Sequence, residues 1–262
     1  PVMWSNELAL HVLEIKTATP VSTLERVEEL FQDEVRFINR HLSKSNLCLL
    51  PGGMHPWMDP STTKLWPHGN REIYQAFDRI FDCRGHGWGN LQSVHLNLPF
   101  SDDASFLKLH TAIRAILPIL PALSASSPFA DARFRGIHDY RLEVYRKNCA
   151  RIPSVTGKVV PEPVRNRSEY ESLILQRIYD DLAPHDSEGI LRYEWANARG
   201  AITRFDRNTI EIRVLDIQEC PAADLAVLRL IVAVVEALID ERWTDIETLR
   251  SLPTDTLAGI FV

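Results

Sequence analysis

The sequence predicts an α+β protein built on an antiparallel sheet, with its helices set apart from its strands. Three observations carry this. Short segments of alternating polarity at residues 8–17, 91–100, 191–196, 201–205 and 209–216 read as strands. The last three succeed one another through turns too short for a parallel crossover, so they must pair antiparallel. Segments with apolar residues at helical spacing account for much of the rest, and neither a repeat nor a linker divides the chain. With 262 residues, 45% of them hydrophobic, one large core can close without disulfides or metals.

In chain order, Leu8 to Thr17 places Leu10, Val12 and Glu14 on one face and His11, Leu13 and Ile15 on the other. Ser22 and Glu25 form a capping box ahead of a helix in which Leu24, Val27, Leu30, Phe31, Ile38 and Leu42 recur at helical spacing. Residues 51–70 hold Gly52-Gly53, four prolines, two tryptophans and two histidines, an irregular stretch of a length that tends to be functional. A helix over 70–82 comes next. Gly85, Gly87 and Gly89 then introduce the strand at 91–100, and Asp102 or Asp103 caps a helix that Pro118 and Pro121 bend or end after Ile116. A small-residue turn at 124–128, a helix at 137–148, a proline-rich loop at 152–166 and a helix from Ser168 to Leu182 precede the three C-terminal strands. The last helix, Ala222 to Glu241, is apolar on most faces and serves either the core or a subunit interface.

Charge excludes some partners. The 29 Lys+Arg and 35 Asp+Glu give a net −6, and no basic cluster tracks a phosphate backbone, so nucleic acid is excluded. No apolar run reaches the roughly 20 residues of a membrane span; the nearest, Leu225 to Ile239, is interrupted by Arg229 and Glu236. Cys48, Cys83, Cys149 and Cys220 are far apart and form no C-x-x-C, which reads as reduced thiols in a soluble, cytoplasmic protein. In that setting the sequon Asn166-Arg167-Ser168 is accidental. The chain opens at Pro1 just ahead of an apolar segment and closes on Ile260-Phe261-Val262. Residues 1–262 are therefore expected to be a single domain, incomplete at its N-terminus and open to continuation at its C-terminus.

Three strands carry polar groups in unusual places. Ser93, His95 and Asn97 share one strand face; Glu211 and Arg213 share another, opposite Ile210, Ile212 and Val214; Glu14 stands with Leu10 and Val12. Such faces either look into solvent, as half-exposed antiparallel sheets do, or line a cavity where oxygen donors and one imidazole gather divalent cations and Arg213 meets an anion. The pattern alone leaves both open. Gly85-x-Gly87-x-Gly89 precedes a strand, so it reads as a turn and not as a nucleotide fingerprint. His55, His68 and His86 are either metal donors or ordinary loop histidines.

Read as whole segments, Ser5-Asn6-Glu7-Leu8, Leu13-Glu14-Ile15-Lys16-Thr17, Gly53-Met54-His55-Pro56-Trp57, Leu91-Gln92-Ser93-Val94-His95-Leu96-Asn97-Leu98, Ala122-Leu123-Ser124-Ala125-Ser126-Ser127-Pro128-Phe129 and Ile210-Glu211-Ile212-Arg213-Val214-Leu215-Asp216 resemble the glutamate-cysteine ligase family, in its carboxylate-amine ligase branch. The resemblance implies a glutamine-synthetase-like fold, a curved antiparallel sheet flanked by helices whose polar face holds ATP, magnesium ions and an acceptor carboxylate. It implies a catalytic domain that phosphorylates glutamate or a similar carboxylate and passes the acyl group to an amino acid or other amine, giving an amide, ADP and phosphate. It also implies roles. Glu7 and Glu14 match ligands of one magnesium ion, His95 and Glu211 of another, and Arg213 the arginine on the transferred phosphate. Arg141 matches a residue gripping the substrate carboxylate, with Tyr145 nearby, or else a structural salt bridge; Glu194 and Asn197 border the nucleotide. The sequence departs from the family in starting after a strand of form E-x-E. A non-catalytic nucleotide- or amino-acid-binding homologue and a metal-dependent amide hydrolase are the alternatives, and the intact Glu211/Arg213 pair favours the ligase.

Overall fold

The computed structural model describes residues 2–261; Pro1 and Val262, the ends of the expected domain, lie outside the described residues. Strands β1 (Val2–Asn6) and β2 (Leu13–Thr17) form an antiparallel hairpin with Ser5 opposite Glu14 and Trp4 opposite Ile15. The strand expected from Leu8 is thus shorter. Residues 7–12 connect the hairpin and are pinned from outside, where Ala9 bridges Leu65 and the Leu10 N–H donates to the Lys64 carbonyl at 2.8 Å. Helix α1 (Val27–Leu42) starts at Arg26 without a side-chain cap. The Ser22/Glu25 capping box does not form, because the Glu25 N–H is taken by Thr23 Oγ1 at 3.3 Å.

Helix α2 (Arg71–Phe81) and the single turn α3 (His86–Gly89) lead into β3 (Ser93–Pro99). Helix α4 (Asp103–Ile116) opens on a capping box between Asp102 and Ser105. Pro118 and Pro121 each sit in the first turn of a new element, a 3₁₀ turn at Leu117–Ile119 and α5 (Leu120–Ser124) respectively, where a missing N–H costs little. The continuous run from 103 to 124 has the length and apolarity to cross a membrane, yet 67% of its most apolar window is buried inside the protein. It is a core element.

A small hairpin of β4 (Phe129–Ala130) and β5 (Arg133–Phe134) turns through Asp131 and Ala132, both at positive φ. Helix α6 (Tyr140–Tyr145) is capped by Asp139 and shorter than expected. Helix α7 (Arg167–Tyr170), capped by Asn166, widens through a π turn at Glu171–Leu175 into α8 (Gln176–Leu182). Residues 191–196 are not a strand. The alternating Leu191, Tyr193 and Trp195 end in a 3₁₀ turn at Glu194–Ala196, and the Leu191 N–H is satisfied by Asp186 Oδ2 at 2.6 Å instead of a neighbouring strand. Then come β6 (Ala201–Arg204), β7 (Thr209–Asp216), α9 (Pro221–Ile239), α10 (Ile246–Ser251) and α11 (Thr254–Ala258).

The main sheet has β7 at its centre, between β3 and β6, all antiparallel. Its core face pairs Val94, Leu96 and Leu98 of β3 with Leu215, Ile212 and Ile210 of β7, over a core that includes Phe106, Ile113 and Ile231. The register shifts between Val94 and Leu96, where two residues of β7 stand against one of β3. This bulge matters for the site. Asn97 faces Glu211 and Ser93 faces Asp216, so Glu211 and Asp216, an odd number of residues apart, end on the same side of the sheet. Elsewhere, buried Arg114 of α4 donates to the carbonyls of Pro161 and Leu252 and to Thr254 Oγ1, at 2.7–3.0 Å.

Asp224, 8% exposed near the start of α9, has its carboxyl pushed up to about 6 by desolvation, against the Gln218 N–H that it accepts at 2.8 Å. A carboxyl raised on folding binds its proton more tightly in the native state, so stability falls as pH climbs from the unfolded pKa near 4 to about 6. Thermal melts of the protein and of Asp224→Asn are expected to diverge across that window, the unsubstituted protein losing up to about 3 kcal/mol relative to the variant. Parallel curves from pH 4 to 7 would remove this assignment.

Candidate active site

The polar face of the sheet is assembled around Glu211 and Arg213, two residues apart on β7. The Arg213 guanidinium donates through Nε (3.2 Å) and Nη2 (2.5 Å) to Glu211 Oε1. His95 of β3 brings Nδ1 to 3.6 Å from the same oxygen, while its Nε2 meets Ser93 Oγ at 2.9 Å. Desolvation alone would raise the Glu211 carboxyl, but the Arg213 charge and hydrogen bond hold it at about 2. It is ionised at any working pH. His95 retains 34% of its side-chain exposure, yet desolvation lowers it to about 4. His95 and Asn97 are exposed on this face while Glu211 beside them is buried, so the polar face of β3 borders solvent around a buried ion pair.

The hairpin contributes two further carboxylates whose charges reach this face. Glu14 of β2 pairs with Lys16 at 2.6 Å and accepts from Ser5 Oγ across the strands. Desolvation would raise its carboxyl, but these partners and His95 bring it below the usual range. Glu7, solvent-accessible in the connection after β1, is pushed upward by desolvation and by the Glu14 charge. Arg213 and Lys16 act on it in the other direction. Asn6 beside it donates to the Tyr74 hydroxyl of α2 at 3.0 Å. Glu7, Glu14, His95, Glu211 and Arg213 therefore share one field, although the hairpin and the main sheet belong to separate hydrogen-bonded ladders. Among the described residues, no three His, Cys, Asp or Glu side chains converge as a closed metal cage, and His95 with Glu211 is the close approach between candidate donors.

The remaining candidates divide. Tyr145 of α6 donates to the Ala198 carbonyl at 2.7 Å and lies against Arg213, backing the guanidinium. Arg141 is 2% exposed, and its Nε is ion-paired with Asp216, which is completely buried. The salt bridge weighed for it is therefore present, while its Nη2 finds no hydrogen-bond partner among the described residues. Asn197 is fully buried as well. Its Nδ2 donates to the Tyr170 hydroxyl at 2.9 Å and its Oδ1 accepts from Arg199, so it shapes the loop before β6. Glu194 stays half-buried at the edge of the site, 3.8 Å from Arg204 Nε, and accepts from the Asp206 N–H at 3.4 Å. His55 and His86 are engaged in the loops: His55 Nδ1 accepts from the Trp57 N–H, and His86 bridges Asn90 and Asp131.

Sequence reasoning missed Asp216. Its Oδ2 accepts from the Ser126 N–H (2.9 Å) and the Ser127 hydroxyl (2.6 Å), and its Oδ1 from Arg141. Gly53 passes so close that a Cβ there would stand 2.4 Å from Asp216 Cγ. One carboxylate thus ties together the glycine loop, the serine turn, the start of α6 and the end of β7. Its signal was present: simple alternation put an acid on the apolar face of β7 with Ile210, Ile212 and Val214. Gly53→Ala is expected to destabilise the protein by about 1–3 kcal/mol, because the pinned carboxylate cannot move aside. Urea unfolding checks this, and an unchanged midpoint would show that the carboxylate can shift.

A groove of about 400 Å³ between the end of α2 and residues 147–151 holds none of the candidate residues. It is distinct from this polar face.

Comparison with known proteins matches residues 2–258 to the family described as Glutamate-cysteine ligase family 2. An uncharacterized protein of Archaeoglobus fulgidus is 38% identical over 252 residues, 95% of this chain and 68% of its own length. Proteins of a Bradyrhizobium species and of Solibacter usitatus, provisionally named glutamate–cysteine ligase 2, are 27% and 26% identical over 75% and 68% of this chain. The chain spans 44% and 46% of the length of those two relatives.

Proposed function

This chain belongs to glutamate-cysteine ligase family 2, and from that premise we propose that it is an ATP- and magnesium-dependent carboxylate-amine ligase making a γ-glutamyl or similar amide through an acyl phosphate. The observation that carries the reading is the Glu211–Arg213 pair on the central strand, with His95 beside it. A hydrolase acting through water would use the carboxylates but has no need of a guanidinium among them. On this reading the two ladders are walls of a glutamine-synthetase-like funnel, and the partners are small molecules in the cytoplasm.

The donor chemistry fits magnesium, a hard cation that takes one or two carboxylates and fills its remaining positions with water and phosphate. Glu7 with Glu14, and Glu211 with His95, are the pairs that would hold such ions. Bound there, magnesium would neutralise phosphate charge. Arg213 presents a planar fork to the phosphoryl group as it leaves ADP for an oxygen of the substrate carboxylate, taking up the charge that grows on its oxygens. Glu211 and Tyr145 keep that fork from swinging. The uncharged amine nitrogen then attacks the acyl carbon, the bond from that carbon to the phosphate oxygen breaks, and the phosphate departs with the proton the nitrogen gives up.

The test is ADP release from ATP and magnesium in the presence of glutamate and a panel of amino acids and amines. Release that needs glutamate together with one amine supports the ligase and identifies its acceptor. Glu211→Gln is expected to keep its fold and lose at least about tenfold in turnover, through weaker magnesium binding and a loosened Arg213. Full turnover in that variant removes Glu211 from the site, and nucleotide binding without ADP from the unsubstituted protein would select the non-catalytic alternative.

A further inference from the structure

The 3₁₀ turn at Glu194–Ala196 rests against β6 and carries an aromatic pair on either side of Glu194. Tyr193 and Trp195 stack with ring centres 5.5 Å apart and planes 12° from parallel. Trp195 is backed by Phe77 of α2 at 6.0 Å, and Phe77 by Trp88 of α3 at 5.4 Å. The inner side of the stack is therefore braced by the fold. Its outer ring is not, since Tyr193 remains 58% exposed. Tyr193 adds little to the core, and what it offers is a flat π face already held in place, so a planar ligand meets it at small entropic cost.

The position of this face relative to the polar site suggests the ligand. Glu194 touches Arg204, which stands on the same side of the sheet as Glu211, because Ile202 two residues earlier pairs directly with Glu211. Arg204 donates to both carboxylate oxygens of Asp206, at 3.1 and 3.0 Å. From Arg204 back to Gly200, whose carbonyl accepts the Arg213 N–H at 2.9 Å, the strand advances four residues, roughly 13 Å. That is comparable to the span of an extended nucleoside triphosphate from base to terminal phosphate. The other end of β7 is closed by Asp216 and its partners, so a chain of phosphates beginning at Arg213 has its path along β6 toward Arg204. We infer that Tyr193, braced by Trp195, is the stacking platform for the purine base of the nucleotide. This rests on the ATP-dependent reading above and extends it to residues outside the charged site.

Calorimetric titration of the whole chain, in magnesium, with a non-hydrolysable ATP analogue and separately with inorganic tripolyphosphate tests it. The protein is expected to bind the analogue more tightly than tripolyphosphate. Tyr193→Ala should weaken the analogue about tenfold and leave tripolyphosphate unchanged, while Tyr193→Trp keeps both affinities. An analogue affinity in Tyr193→Ala within twofold of the original, or an equal loss for both ligands, overturns the platform while leaving the ligase reading in place. If the unsubstituted protein binds neither ligand, the ATP-dependent reading falls and the platform falls with it, a result distinguished by appearing before any substitution is made.

Discussion

Asp216→Ala is expected to lower stability by about 3–5 kcal/mol, the usual cost of removing one partner from a buried ion pair. The substitution leaves the Arg141 guanidinium, 2% exposed, without its counter-charge. It also strands the Ser126 N–H and the Ser127 hydroxyl, each of which donates to the same oxygen. Against a typical domain stability of about 5–15 kcal/mol this is a large share, and it should appear as a lower urea midpoint with little change in slope. Asp216→Asn keeps the shape and part of the hydrogen bonding, so it should fall between the two. A loss below about 1 kcal/mol for the alanine variant would mean that the four segments are held together by something other than this carboxylate.

The largest effect on activity is expected from Arg213→Lys. Lysine keeps the charge, and strand geometry does not forbid it, so the fold should survive. What it loses is the fork. Arg213 engages Glu211 through two nitrogens and lies against the Tyr145 hydroxyl. An ammonium group can satisfy Glu211 or a phosphoryl oxygen but cannot do both with fixed geometry. Turnover is expected to fall by about 10²–10³, the scale seen when one charge-stabilising donor is removed from a reaction centre. Wild-type turnover in Arg213→Lys would mean that the guanidinium serves Glu211 alone and that the phosphate is handled elsewhere.

Strands at Ser93–Pro99 and Thr209–Asp216 were legible because one face had to be apolar over the core and the other was unusually polar. The helices at 71–81 and 103–116 were legible as segments between loop and strand, the second also by its start at Asp102 or Asp103, of which the structure uses Asp102. The segment at 191–196 misled for a physical reason. Leu191, Tyr193 and Trp195 alternate with polar residues as a strand would, but the alternation serves a stack and a turn, with no ladder beside it. In the site, Glu14, His95, Glu211 and Arg213 were legible as residue types on given strand faces, Glu7 only through the family resemblance, and the structure brings them into one field. The bulge between Val94 and Leu96 was not legible, since nothing in the composition of β7 says where its register slips. That slip turns Asp216 onto the side of Glu211, where its carboxylate pairs with Arg141.

The clamp around Arg114 sets an order of events during synthesis. Its guanidinium belongs to a helix made early, but two of its three acceptor residues, Leu252 and Thr254, lie about 140 positions later. Until the ribosome has released them, the interior of α4 carries a cation with incomplete partners. Closure of this region must then wait for nearly the whole of the described chain, favouring slow, late consolidation over progressive folding from the first strand. A nascent chain halted before residue 252 should consequently remain protease-sensitive around α4, while one extended past Thr254 gains protection there in a single step.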